Sequence, residues 1–342
     1  MKGILVDKAG GEYALVDTLE KPKPGKNQVL VKSLVTGLNP VENFQRGGVL
    51  VESWPIVLGC DASGSVVEVG EGVTKFKEGD GIFGCTRLGH PGYGTFQEYL
   101  SPPNSKPADI SVEQAATIGV GLLTAGLGLF SGTKIALEPK EVTGDSEWII
   151  IPGAAGAVGQ YGVQLAKLCG YKVLASCSPS NKKLVESIGA DATINYKDPL
   201  EDLLKDIKSI TGGKFSRVFD ASAMATEIGI QALAQCSQEE RLKYFATTNG
   251  WIPIEPKEGI EIYVTALGVI GKTGDAHNTA VNNDIAAMIP KLETFLESGE
   301  IKPMEYEQIG DVGVGDVLKG LEAFNVRKTD GKKLVVRLSS DE

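Results

Sequence analysis

Apolar and polar positions follow each other along this chain in two different rhythms. In the first part the apolar runs are short and β-branched, at residues 28–35, 64–70 and 82–84. Turn signals bound them: Lys23-Pro24-Gly25 before the first, Gly70-Glu71-Gly72 after the second, and Glu78-Gly79-Asp80-Gly81 before the third. Short strands at this spacing predict a small β-barrel-like domain. The texture changes near Ser111, where Ser111-Val112-Glu113-Gln114 reads as a capping box, followed by a glycine-rich apolar helix over 119–130. From Trp148 the second rhythm begins. Strands are expected at 148–151, 172–177, 192–196, 217–221, 242–247 and 262–267, with helices at 158–168 and 181–188. Strands that are apolar throughout and separated by helices predict a parallel sheet covered on both faces. After Gly271 the alternation stops. Residues 278–298 read as one amphipathic helix with Pro290 as a kink or break, and 333–338 as a last strand.

Length changes the picture only by requiring more than one core: 342 residues predict two domains, 1–118 with 272–342, and 119–271. The net charge of −10 is spread along the chain. It argues against nucleic acid as a partner, which calls for clustered Lys and Arg. Lys332-Lys333 is read as solvated surface. No apolar run approaches a membrane span, and the N-terminus moves straight into a strand-like pattern, so no membrane partner and a cytoplasmic location are expected. The cysteines, Cys60, Cys85, Cys169, Cys177 and Cys236, are scattered without a C-x-x-C and are expected to be free thiols.

Candidate chemistry concentrates at Trp148-Ile149-Ile150-Ile151-Pro152-Gly153-Ala154-Ala155-Gly156-Ala157-Val158-Gly159. It reads as strand, tight turn and helix N-terminus. Small residues at 153–157, with Ala155, Gly156, Ala157 and Val158 as contacts, let backbone approach a pyrophosphate. Free N–H groups and the positive end of a helix dipole would meet it. The end of the second strand chooses between cofactors. An acid there would bind the ribose hydroxyls of NAD. Here the chain reads Cys177-Ser178-Pro179-Ser180-Asn181-Lys182-Lys183, and no acid appears before Glu186. Hydroxyls, an amide and ammonium groups suit a 2′-phosphate, so NADPH is expected over NADH. Lys182 and Lys183 could instead be a solvated helix face, and Ser178 a helix cap.

The order of barrel-like domain, six-stranded domain and C-terminal return resembles the medium-chain dehydrogenase/reductase superfamily. The matches are Gly37-Leu38-Asn39-Pro40, Leu58-Gly59-Cys60-Asp61-Ala62-Ser63-Gly64, Lys77-Glu78-Gly79-Asp80, Leu123-Thr124-Ala125 and Ala154 to Gly159. They are similar to the zinc-independent quinone oxidoreductase branch. Cys177 to Asn181, Ile188-Gly189-Ala190-Asp191 and Asn195-Tyr196 narrow the likeness to fungal trans-acting enoyl reductases. The resemblance implies an α/β fold: a GroES-like β-barrel-type catalytic domain plus a six-stranded doubly wound Rossmann domain. It also implies that Asn39, Pro40 and Thr124 line the nicotinamide side of a cleft. Tyr196 would lie by the 2′-phosphate, and Leu267 and Gly268 would approach the nicotinamide from the end of the sixth strand. The segment 328–332 would also reach the cofactor.

The same resemblance places the zinc-ligand positions of related alcohol dehydrogenases at Asn39, Cys60-Asp61 and Val120, a donor set that does not make a tetrahedral zinc site. His90 and His277 lack ligand spacing. Without a Lewis acid, conjugated acceptors that spread incoming charge onto oxygen are favoured over alcohol oxidation, with the cofactor carrying the hydride. Phe44 stands where relatives often carry a Tyr, so no general acid is assigned. Asn39, Phe44 and Thr124 remain the catalytic-cleft candidates, and Glu42, Gln45, Arg46 and Tyr93 are possible substrate contacts. Cys60 is expected to be a buried small residue, and Asp61 to hold a wall through hydrogen bonds. The expected function is an NADPH-dependent reductase of a small quinone or enone. A catalytically reduced NADPH-binding protein of the same fold is the alternative. Residues 263–268 could pair with a second subunit in a homodimer, though some relatives are monomers.

Overall fold

β-Branched runs become strands wherever glycine or proline turns bound them, and the capped run at Ser111 becomes a helix. A computed structural model describes residues 1–100, 104–105, 110–237, 241–326 and 329–340. The N-terminal strands are β1 (Gly3–Val6), β2 (Ala14–Val16), β3 (Val29–Gly37), β4 (Ile56–Val57), β5 (Asp61–Val69), β6 (Gly81–Cys85), β7 (Tyr99–Leu100) and β8 (Asn104–Ser105). Helix α1 (Val41–Arg46) follows β3 directly. Helix α2 (Val112–Ala115) starts on the expected capping box, with the Ser111 hydroxyl accepting from the Gln114 N–H (3.2 Å) and the Gln114 amide oxygen accepting from the Ser111 N–H (3.0 Å). Helix α3 (Gly119–Gly126) widens into a π-helical stretch over Leu127–Gly132. Gly128 has to be glycine there, because a Cβ would lie 2.0 Å from the Phe219 ring.

The second rhythm produces β9 (Trp148–Pro152), α4 (Ala157–Leu168), β10 (Lys172–Cys177), α5 (Lys182–Ser187), β11 (Ala192–Asn195), α6 (Leu200–Thr211), β12 (Phe215–Asp220), α7 (Thr226–Ala234), β13 (Lys243–Thr247) and β14 (Ile260–Val264). The strands pair in parallel, in the order β11-β10-β9-β12-β13-β14. This is the doubly wound order that the apolar strands required. Ile150, Leu174, Val218 and Phe245 form its core with Leu203 and Ile207 from α6. Helices α6 and α7 were not read from the sequence. The signal in α6 was present: Leu203, Ile207 and Thr211 are buried on one face, and Gly212 closes the helix at φ 61°.

The sixth strand needs correction. It ends at Val264, and Leu267 and Gly268 lie beyond it in a 3₁₀ turn, Leu267–Val269. Helix α8 (Ala276–Glu297) runs through Pro290 as one helix rather than breaking there. Strand β15 (Tyr306–Val312), helix α9 (Asp316–Val326) and strand β16 (Lys333–Arg337) complete the chain. Strand β16 inserts beside β3, giving the sheet order β15-β16-β3-β5-β6-β8 with β7 also on β3, while β2-β1-β4 form a smaller sheet.

Contacts divide the chain into one unit of Met1–Val120, Gly268–Asn282 and Lys302–Glu342, and another of Gly121–Leu267 and Asn283–Ile301. The sequence assigned all of 272–342 to the first domain, whereas most of α8 belongs with the parallel sheet. Its contacts in that unit include Gly126, Ser131 and Leu137, partners that leave no periodic trace in the sequence of α8. No described helix is long and apolar enough to cross a membrane.

Candidate functional site

In the parallel-sheet unit the chain leaves β9 through Gly153 at φ 76°, where a Cβ would lie 2.8 Å from that of Ser222. Glycine is therefore required twice over, by conformation and by space. Gly156 caps α4 in an extended conformation, and no side chain caps the helix. Ala157 and Val158 open its first turn, whose N–H groups have no intrahelical partners. Gly159 lets the helix sit close on the turn, since a Cβ there would meet the Gly153 carbonyl at 2.2 Å. Ala155 contributes its carbonyl to the Gln160 amide (2.8 Å). An uncapped helix start above a parallel sheet suits a pyrophosphate.

Cys177 and Asn195 are register partners on neighbouring parallel strands, so Ser178 and Tyr196 leave the sheet side by side. Ser178 occupies the cap of a 3₁₀ turn, Pro179–Asn181, yet its hydroxyl makes no cap bond and lies 2.9 Å from the Ser180 hydroxyl. Lys182 is exposed and stands 3.7 Å from Glu186, a surface pair that constrains it little. Beside this edge a cavity of about 470 Å³ opens, lined by Gly153, Ser176, Tyr196, Ser222, Met224 and Ala225 and floored by apolar core residues. Sequence reasoning missed what shapes its rim. Buried Asp220 accepts from Ser222 N (2.9 Å) and Oγ (2.6 Å), Ala225 N (3.1 Å) and Thr247 Oγ1 (2.9 Å). The one available signal was an acid ending an otherwise apolar strand. Thr124 lies one turn after Gly121 on α3, and the absent Cβ at 121 lets α3 approach Tyr161 and Ala157.

The other unit holds a closed polar cluster. Gly37 on β3 pairs with Asp61 of β5 on one side and Val335 of β16 on the other, which brings Asn39, Asp61 and Lys333 together. Lys333 Nζ donates to Asp61 Oδ2 (2.9 Å) and Asn39 Oδ1 (2.5 Å). Asn39 Nδ2 donates to Asp61 Oδ2 (3.1 Å) and Glu42 Oε1 (3.2 Å), and Glu42 Oε2 accepts from the Asn39 N–H (2.5 Å). Asp61 Oδ1 accepts from Val120 N (2.7 Å). All four side chains are buried. Lys333 thereby corrects the reading of Lys332-Lys333 as solvated surface: its side chain is 4% exposed. Burial pushes the Glu42 carboxyl up, the Lys333 ammonium pulls it down and the Asp61 carboxylate raises it again, leaving it at about 7. Burial likewise pushes the Cys60 and Cys85 thiols well up, away from thiolate chemistry.

Several other proposed contacts have partners within the chain. Glu42 and Gln45 are buried, and Gln45 Oε1 faces the Cys60 thiol at 3.4 Å. Arg46 is held by Glu12 (3.0 Å) and the Gly11 carbonyl (2.7 Å), and the Tyr93 hydroxyl accepts from Gln28 (2.8 Å). Pro40 caps α1 and is exposed, as is Phe44 within it. Gly268 packs on Leu50, which a Cβ would meet at 2.7 Å. In the segment 328–332, Lys328 lies outside the described residues, and Thr329 to Lys332 form a turn closed by Lys332 N to Thr329 O (2.9 Å).

Two family models match the chain: the alcohol dehydrogenase GroES-like domain over residues 25–111 and the zinc-binding dehydrogenase domain over 157–289. A trans-enoyl reductase of Penicillium sp. is 29% identical over 97% of each chain. Another, from Cochliobolus carbonum, is 34% identical over 63% of this chain and 74% of its own. A chloroplast envelope quinone oxidoreductase homolog of Arabidopsis thaliana is 36% identical over 61% of this chain and 63% of its own. A mycobacterial protein solved as a complex with NADPH shares the fold, with a TM-score of 0.74 at 22% identity, covering 98% of this chain and all of that one. The donor set does not fit the zinc that the second family's description implies. Of the positions expected for its ligands, Asn39 and Asp61 hold the Lys333 ammonium, Cys60 faces Gln45 and Val120 has no donor side chain, and no group of three His, Cys, Asp or Glu among the described residues is placed to hold a metal ion. Matched family models, relatives and fold together show that the chain belongs to the medium-chain dehydrogenase/reductase superfamily, alongside its trans-enoyl reductases and quinone oxidoreductases.

Proposed function

We propose that this protein is an NADPH-dependent reductase that delivers hydride to a conjugated carbonyl, a quinone or an α,β-unsaturated carbonyl compound, without zinc. The observation that carries the reading is the acid-free end of β10, where the Ser178 and Ser180 hydroxyls lie 2.9 Å apart beside Tyr196, next to the uncapped start of α4. A 2′-phosphate needs donors and tolerates no neighbouring carboxylate. Ser178, Ser180, Asn181 and Lys182 offer donors, and the cavity at Ser222 and Met224 has room for the adenine. The first turn of α4, at Gly156, Ala157 and Val158, would take the pyrophosphate.

Bound NADPH would supply the hydride. The chain's own part is to bind, orient and exclude water. No side chain of this chain is assigned as the general acid. A conjugated acceptor suits this, because its charge settles on an oxygen that water can protonate. The names of the relatives, trans-enoyl reductase and quinone oxidoreductase homolog, support such acceptors.

The test is NADPH oxidation, followed by absorbance, across a panel of quinones and enones, with simple alcohols and NADP⁺ as the reverse control. Turnover with conjugated acceptors and none with alcohols is expected. Tight NADPH binding with no turnover on any acceptor would instead support the catalytically reduced alternative.

A further inference from the structure

Strand β6 runs into a loop that carries Arg87 and His90, and a separate turn brings Lys272 beside them. All three face one carboxylate, Glu52, and all four residues belong to the same unit. Glu52 Oε1 lies 3.2 Å from Arg87 Nη2 and 3.9 Å from Lys272 Nζ, and Glu52 Oε2 lies 2.5 Å from His90 Nδ1. His90 first, then Arg87 and Lys272, hold the Glu52 carboxyl below its ordinary value, so it stands as an anion. Arg87 and Lys272 are cations at neutral pH, so even with His90 neutral the positive charge exceeds the negative. The excess stands in a chain of net charge −10.

The donors of this cluster are under-used. Among the described residues Arg87 makes one hydrogen bond, from Nη2, and most of its N–H groups are left over. Its Nε is buried and has no hydrogen-bond partner. A buried donor is destabilising unless something accepts from it. The Lys272 side chain is 21% exposed, yet its ammonium stands beyond hydrogen-bond length from Glu52 and bonds to no other described residue. The backbone is bent and tied to keep these groups together. Leu50 sits at φ 64° and Gly89 at φ 68°, and a Cβ on Gly89 would meet the Leu50 carbonyl oxygen at 2.0 Å. The Glu52 N–H donates to the Gly89 carbonyl (3.0 Å), which docks Glu52 on the loop of Arg87 and His90. A Cβ on Gly271 would lie 3.3 Å from Arg87 Cδ, so glycine there leaves the arginine stem its room. Asn282 fastens the turn that carries Lys272. Its Nδ2 donates to the Val269 (3.0 Å) and Lys272 (3.1 Å) carbonyls, and its Oδ1 accepts from the Gly271 N–H (2.7 Å). Partly exposed ion pairs contribute little to stability, so stability does not account for a turn tied down beneath one. Fixed cationic donors with unmatched N–H groups are what recognition of a phosphate or carboxylate requires.

We propose that Arg87 and Lys272, with His90 beside them, form a binding site for an oxyanion, a phosphate or carboxylate group. The ligand's oxygens take the Arg87 Nε–H and the Lys272 ammonium, the donors that Glu52 leaves unmatched. Glu52 is the site's internal competitor, a carboxylate of this chain held where the ligand's charge is favoured. The inference does not rest on the NADPH reading, since none of these residues belongs to the proposed cofactor edge.

The experiment titrates inorganic phosphate and acetate by calorimetry, at low ionic strength, into wild type, Arg87→Gln, Lys272→Met and Glu52→Gln. Each protein is tested alone and with saturating NADPH. The cofactor displaces any phosphate from the start of α4, so failure of the NADPH reading and failure of the oxyanion site are read separately. The site predicts binding that persists with NADPH. Affinity should fall by about tenfold or more in Arg87→Gln and in Lys272→Met, and rise by about threefold or more in Glu52→Gln, where the internal anion is gone. A mere salt-bridge network predicts no anion binding in wild type or in Glu52→Gln. That result, or equal affinity in all four proteins, would overturn the proposal. If Arg87→Gln does not fold, the opposite shifts expected of Lys272→Met and Glu52→Gln decide. A second arm, which does use the reductase activity, finds the source of the anion. It compares the KM of an enone bearing a carboxylate with that of its methyl ester, in wild type and Arg87→Gln. A carboxylate advantage that Arg87→Gln removes assigns the group to the acceptor. No advantage, with phosphate binding intact, assigns the site to a free anion.

Discussion

The two polar regions of this protein use their hydrogen-bonding groups in opposite ways. Around Asn39, the Glu42, Asp61 and Lys333 side chains are buried and bonded into one cluster. Around Gly156 and Ser178, a helix start stays uncapped, two hydroxyls meet only each other, and a cavity of about 470 Å³ stands open. A closed cluster gives rigidity. An open one gives affinity for something outside the chain. The difference teaches which residues to assign to ligand and which to framework, and it moves Asn39, expected on the nicotinamide side of the cleft, and Glu42, a possible substrate contact, toward framework.

The sharpest way to break the comparison is to unpair the closed cluster. Lys333→Met alone leaves Asp61 and Asn39 buried without their cation and should cost about 3–5 kcal/mol. The double variant with Asp61→Asn should recover most of that loss. Thermal or urea melts of the three proteins form the cycle that checks it. Additive losses would mean that the pair is not coupled.

Glu42 gives the next effect. Its carboxyl stands at about 7 in the folded protein against an ordinary 4.5. Between those values the native state binds more protons than the unfolded one. Glu42 therefore contributes full stability below the lower value and loses it as pH rises through the upper one, by about 3 kcal/mol. Lys333, Asp61, Cys60 and Tyr13 face it, and Lys333 keeps the value from standing higher. Glu42→Gln should flatten stability between those pH values, as denaturant melts across the range would show.

In the open region, Gly153→Ala forces a side chain into φ 76° and against Ser222. A loss of about 1–3 kcal/mol in stability is expected, together with weaker NADPH binding, read by melting and fluorescence titration. Unchanged NADPH affinity would detach this turn from the cofactor.

The open region was largely legible from sequence, and the closed one was not. Small residues between an apolar strand and a helix announce the tight β9–α4 turn because close backbone approach demands them locally. The acid-free stretch from Ser178 to Lys183 is likewise a local fact. Lys333 and Asp61 lie 272 positions apart, and only the insertion of β16 beside β3 joins them. Beside Gly331 and Lys332, a lysine has the composition of a surface turn, so nothing nearby marks it as buried. Asp220 failed for the same reason, since the loop it organises lies beyond its strand. Leu267 and Gly268 were placed in a strand because apolar residues continue past Val264, although the backbone had already turned.

The central claim is that the open region is built for a 2′-phosphate. The most direct measurement is titration of wild type and Ser178→Asp with NADPH and NADH, followed by nicotinamide fluorescence or calorimetry. Wild type should prefer NADPH by about tenfold or more, equal to about 1.4 kcal/mol, and Ser178→Asp should erase that preference by weakening NADPH alone. Equal affinity of wild type for both cofactors, or binding of neither, would contradict the account.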